Sequence, residues 1–96
     1  MNLVIGDVRL TADGLVGTSG KPIRVYWIHL VSGATLSTTT LNNGTGASDT
    51  AYVQVDGVAN QGVLLNFAGG CRFPDGCYMN TDANIEYALI GYTEEF

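Results

Sequence analysis

Residues 22–31, PIRVYWIHLV, limit what this 96-residue chain can fold into more than any other stretch. They form its longest run of β-branched and aromatic residues and hold its single Trp and single His. Ile23, Val25, Tyr26, Trp27, Ile28 and Val31 favour a pleated, half-buried surface. A helix is the competing reading for an apolar run of this length. Pro22 in front, Ser32-Gly33 behind and the β-branched content argue for a strand. Successive side chains of a strand alternate between faces. Strict alternation puts Ile23, Val25, Trp27, His29 and Val31 on one face, and Arg24, Tyr26, Ile28 and Leu30 on the other. A strand with one wet face alternates cleanly between apolar and polar, yet here both faces are mostly apolar. The expectation is that one face packs on the core. The face with Tyr26, Ile28 and Leu30 must then be closed by another subunit or by a second sheet.

The rest of the chain has the rhythm of an all-β protein. Thirteen Gly, with many Thr, Ser and Asn, punctuate short apolar runs, and no stretch shows sustained helical periodicity with caps. Strands are expected at 2–10, 35–41, 49–55, 62–68, 77–80 and 85–93, besides the run above. Gly6 is a candidate bend, and the Thr-rich 35–41 reads as an edge or outer strand. Residues 11–20 read as a loop. Turn signals sit at Asp13-Gly14, Asn43-Gly44, Asp56-Gly57 and Pro74-Asp75-Gly76. Seven or eight strands at this spacing predict a small antiparallel sandwich of jelly-roll-like form, with almost no helix. Residues 1–96 read as one domain, and surface scaling puts its folded area at roughly 5,300 Å².

Charge excludes several partners. Four basic residues (Arg9, Lys21, Arg24, Arg72) stand against nine acidic ones, a net charge of −5. Nucleic acid and anionic lipid call for clustered Lys and Arg, and these four are scattered. The start of the chain has no basic, apolar secretory signal, and no run approaches the ~18 apolar residues of a membrane span. Only 14% of residues are charged, below the usual quarter, which suggests surface that is not permanently wet.

Site chemistry is sparse, and no cofactor, metal or catalytic set is expected. His29 is the one side chain that titrates near neutrality without a large shift, but its strand neighbours make it a packing residue. Two thiols and one His make a poor zinc site. Cys71 and Cys77 enclose RFPDG, and both a bridge and a pair of free thiols stay open. Asp13, Asp56 and Asp75 precede Gly and belong to turns. Asp82, Asn84 and Glu86 alternate, as the ligands of a weak calcium site would. Asn43-Gly44-Thr45 matches the N-glycosylation pattern and reads as a turn. The aromatics suit interface packing or, where exposed, a sugar-binding platform. The chain is therefore expected not to be an enzyme.

Residues 20–93 resemble small all-β virion proteins of tailed bacteriophages. The likeness lies in Gly20-Lys21-Pro22-Ile23-Arg24-Val25-Tyr26, in the Phe73-Pro74-Asp75-Gly76-Cys77-Tyr78 turn, and in the final strand ending near Tyr92. What the resemblance implies is a head decoration (cement) protein on the capsid exterior. It would be a homotrimer bridging subunits of the major capsid protein, with no nucleic-acid or membrane partner. A tail, fibre or knob component and a carbohydrate-binding module are the alternatives. The expected subunit-interface residues are Tyr26, Ile28, Leu30, Tyr92 and Phe96.

Overall fold

The structure, a computed structural model, describes residues 3–95. These form eight strands and no helix: β1 (Leu3–Leu10), β2 (Gly14–Val16), β3 (Ile23–Ser32), β4 (Ser37–Asn43), β5 (Thr50–Gly57), β6 (Gly62–Phe73), β7 (Cys77–Thr81) and β8 (Ile85–Glu95). The chain is doubled back on itself, so β1 pairs with β8, β2 with β7, β3 with β6 and β4 with β5, all antiparallel. Sheet A has the order β1-β8-β3-β6 and sheet B the order β2-β7-β4-β5. This nested pairing is the jelly roll, two four-stranded sheets packed face to face. The accessible surface is 4904 Å².

The core lies between the sheets. Ile23, Val25, Ile28, Leu30, Ile90, Ala88 and Phe73 from sheet A meet Val16, Leu41, Val55 and Met79 from sheet B, all buried. Buried polar side chains between the sheets pair with one another, since an unpaired one would carry its full desolvation cost. Ser32 and Ser37 share a 2.7 Å hydroxyl contact, and Thr39 and Thr81 one of 2.8 Å. Glu94, 6% exposed, accepts from both the backbone amide and the hydroxyl of Thr18. That anchors the 17–21 loop to β8.

β3 departs from strict alternation. Val25 faces Tyr92 of β8 and Cys71 of β6, while Trp27 faces Gly91 and Asn66. Tyr26 is therefore an extra residue, a β-bulge, with residues 67–70 looping out of β6 beside it. A bulge leaves one residue unpaired and changes which way the following side chains point. Ile23 and Val25 enter the core in one phase, and Ile28, Leu30 and Ser32 enter it in the other. Trp27, His29 and Val31 turn outward. This corrects the placement of Ile28 and Leu30 at a subunit interface. Both have 0% exposure, because sheet B of the same chain covers them. Tyr26 is 37% exposed. Tyr92 packs partly against the core, and Phe96 lies outside the described residues.

Three other expectations change. β2 is a three-residue strand inside what reads as a loop. β4 lies in the middle of sheet B, not at an edge, since it pairs with β7 on one side and β5 on the other; its inward Ser37, Thr39 and Leu41 are covered by sheet A while Thr38 and Thr40 face outward. Gly6 makes no bend, since the β1–β8 register is continuous; the glycine leaves room for the Tyr92 ring, whose hydroxyl lies 3.2 Å from where a Cβ would stand.

If the bulge sorts the side chains this way, Ile28→Ala leaves a core cavity and costs about 2–5 kcal/mol of stability. His29→Ala, which loses only its contacts with Tyr87 and Gly62 on the outer face, costs about 1 kcal/mol or less. Urea titration of the two variants checks this, and equal losses would contradict the register.

Candidate functional site

The two outer faces of the sandwich differ in chemistry. On sheet B the register lays out Gln54, Thr40 and Asn80 in one cross-strand row and Asp56 with Thr38 in the next. That is an ordinary hydrated surface. On sheet A the rows centre on apolar side chains, with charges at the β1 edge. Leu64, His29, Leu89 and Arg9 form one, and Asn66, Trp27, Gly91 and Asp7 the next. Gly62, Val31 and Tyr87 form the third.

Local packing keeps this face flat. The Trp27 indole lies across Gly91, where a Cβ would overlap its ring, and so Gly91 is buried although it points outward. The His29 imidazole leans over Gly62 in the same way. Tyr87 meets His29 edge-on at 6.3 Å between ring centroids, and the Arg9 guanidinium sits 4.6 Å above the Tyr87 ring. Such a cation–π contact contributes about 0.5–1 kcal/mol at an exposed site.

Two shallow hollows run along the face. One of ≈ 430 Å³ is lined by Trp27, His29, Leu64, Asn66 and Leu89. The other, of ≈ 710 Å³, lies between Asp7, Tyr26, Trp27 and Tyr92. Leu64 is 57% exposed at the edge strand. Contiguous exposed apolar surface of this kind marks an interaction site. Of the residues expected at an interface, the structure brings Tyr26 to one end of this face, while Tyr92 shares the inward phase of Ile90 and Val25 and borders only the hollow there. It adds Trp27, His29, Leu64 and Leu89, which the alternation argument had assigned to packing or left unassigned.

At the Tyr26 end the face becomes charged. Arg24 and Arg72 are directly opposite across β3 and β6, a destabilising arrangement for like charges. Glu95 answers one of them, its carboxylate lying 3.1 Å from Arg72 Nε, and Arg24 donates to the Gly69 carbonyl at 3.0 Å.

The cysteines do not belong to this surface. Cys71 is on β6 opposite Val25, and Cys77 on β7 opposite Val16 and Asn43, so the Phe73–Cys77 connection passes between sheets rather than closing a hairpin. Gly76 allows that passage. Its φ is 106° and its Cα faces the Gly44 carbonyl and the Gly20 backbone, too close for a side chain without adjustment. Both thiols are free. Burial, followed by the neighbouring Cys71, pushes the Cys77 thiol up to about 12.

Asp82 is engaged in local structure, accepting from the backbone amides of Thr38 and Asn84 at 3.0 Å each. No group of three or more His, Cys, Asp or Glu able to hold a metal occurs among the described residues.

No protein-family model matches the chain. No curated protein sequence matches it either. Among solved structures, the fold is similar to that of a protein from the Bacillus endospore appendages, which form a family of disulfide-linked pili. The superposition has a TM-score of 0.55 over 96% of this chain and 85% of that one, at 14% identity. Likeness at that identity concerns the fold. It corrects the expectation of a phage head decoration protein bound to a major capsid protein, because the structural counterpart comes from a pilus. The residues behind that expectation were strand rhythm and one turn. Those features specify a jelly roll, and the fold alone does not specify the assembly it serves.

The cysteine geometry sets a test. In the folded chain a thiol-specific reagent labels Cys71 and leaves Cys77 unmodified until the protein is unfolded. The folded Cys77 keeps its proton to about pH 12, whereas the unfolded thiol loses it near the ordinary 9.0. Folding thus retains a proton between those values, and stability falls as pH rises through that window. Denaturation of Cys77→Ala beside the parent protein at pH 8.5 and 10.5 should show a shallower alkaline loss in the variant.

Proposed function

We propose that this protein is a structural subunit that works by associating with copies of itself into an extended, pilus-like assembly. The observation that carries this reading is the apolar outer face of sheet A. Trp27, Leu64, Leu89 and Tyr87 are displayed on a chain whose opposite face is mostly polar, with Leu15 and Tyr78 half-buried toward its β2 edge, an asymmetry that serves contact with another protein surface. The likeness of the fold to an endospore-appendage protein supports the same role, and with it a location outside the cell. No helix among the described residues is long and apolar enough to cross a membrane.

The assembly differs in one respect from a disulfide-linked pilus. Cys77 is 1% exposed and Cys71 is half-buried against the core on β6, so neither thiol lies on the apolar outer face of sheet A. Association rests on buried apolar area, which contributes about 25 cal/mol per Å² before its entropic costs.

Sedimentation velocity over a hundredfold range of concentration, with negative-stain electron microscopy of the upper end, tests this. The expected result is species larger than the monomer that persist in excess reductant. A strict monomer throughout would contradict the proposal, and assembly abolished by reductant would contradict its non-covalent basis.

A further inference from the structure

Resting on the self-association reading above, the geometry points to a particular partner arrangement: we infer that the outer face of sheet A docks on the same face of a second copy. The two-fold axis lies in the interface, runs across the strands and passes between the Trp27 and His29 rows. Area permits the contact. The molecule measures 42 × 25 × 18 Å, and with sheets stacked ~10 Å apart each broad face offers on the order of 1,000 Å², above the ~800 Å² per partner of a standard interface. Apolar character favours the same face as occupant. Sheet B presents hydrated Gln54, Thr40, Asn80 and Asp56, which would lose water against Trp27 and Leu64 without gaining partners.

Charge then selects the axis. A two-fold along the strands would set the Arg24–Arg72 end of one copy on the Arg24–Arg72 end of the other. A two-fold across the strands keeps β1 above β1 but exchanges the rows on either side of the axis. Asp7 belongs to the Trp27 row and Arg9 to the His29 row, both through their β8 partners Gly91 and Leu89. Both side chains are exposed. The exchange therefore brings Asp7 of each copy over Arg9 of the other, giving two symmetric ion pairs. It also carries Arg24 and Arg72 over the end of the second copy that holds Tyr87 and the exposed Glu86, away from its arginines. A patch that complements itself in this way is what a closed two-fold contact requires; such a contact joins two copies, and an extended assembly is then built from these pairs through a second contact.

Paired charge reversal tests the arrangement. Asp7→Arg and Arg9→Asp each place like charges across the axis and should weaken self-association about tenfold or more, since like-charge juxtaposition costs several kcal/mol. Mixed in equal amounts, the two variants should associate with each other at close to the parent affinity, because each pair in the mixed dimer again joins opposite charges. Both residues are exposed, so far-ultraviolet circular dichroism should match the parent; the melting temperature should match it for Asp7→Arg and fall by a few degrees for Arg9→Asp, which loses its contact with the Tyr87 ring. Thr40→Arg, on the outer face of sheet B, should dimerise as the parent does. Single reversals that associate normally, or a mixture no tighter than either variant alone, would overturn the across-strand two-fold. A Thr40→Arg chain that stays monomeric would overturn face-to-face pairing in favour of head-to-tail stacking. If the parent chain itself never associates, the self-association reading fails first, and that result is separate from these.

Discussion

The extra residue that β3 accommodates at Tyr26 sets which side chains this protein buries and which it displays. A strand with period-two alternation cannot send Ile23, Val25, Ile28 and Leu30 into one core, because the first two and the last two are out of phase. One unpaired residue between them removes the conflict. β8 continues straight past it, from Tyr92 to Gly91, while β6 loops out at residues 67–70. The same shift that brings Ile28 and Leu30 inward turns Trp27 and His29 outward. The core of the sandwich and the apolar outer face are thus two results of one local irregularity in a strand that lies between β8 and β6.

The jelly-roll topology places that strand where the irregularity has most effect. β3 has neighbours on both sides, so its side chains sit in the middle of the sheet A face, flanked by Leu89 from β8 and Leu64 from β6. Gly91 and Gly62 then let the Trp27 and His29 rings lie down on the sheet, which makes the face flat. Flatness and apolarity together suit sheet-against-sheet packing between copies. The polar rows of sheet B and the carboxylates around its loops remain the hydrated exterior.

Much of the fold was legible in the sequence. Short β-branched runs separated by Gly, Asn and Asp turns point to seven or eight strands in a small antiparallel sandwich. Three features were not. β2 is only Gly-Leu-Val inside TADGLVGTSG, too short for a periodic signal. β4 looked like an edge strand because threonine is neutral between wet and covered positions; its inward Thr39 is satisfied by Thr81, a partner 42 residues away that local reading cannot supply. The bulge is visible but ambiguous. Two apolar pairs in opposite phase, Ile23/Val25 and Ile28/Leu30, give the same pattern as a strand apolar on both faces, and the phase change within one strand is the sign of an inserted residue. The proposed self-association does not depend on that phase, but its residues do: Trp27, Leu64 and Leu89 stand where Ile28 and Leu30 were expected. The assembly proposed also changed, from a capsid ornament to a pilus-like polymer, because motifs of strand and turn carry architecture and not partners.

Trp27 is the single tryptophan of the chain, and acrylamide quenching of its fluorescence tests the central claim directly. In dilute solution the outer side of the indole is open, so quenching should be efficient and the emission red-shifted. As concentration rises and copies meet through sheet A, quenching should fall and the emission move to shorter wavelength, in step with the increase in mass. A tryptophan already shielded in the dilute monomer would contradict the outward phase that the bulge at Tyr26 imposes. One that stays equally open in the assembled form would contradict the use of this face.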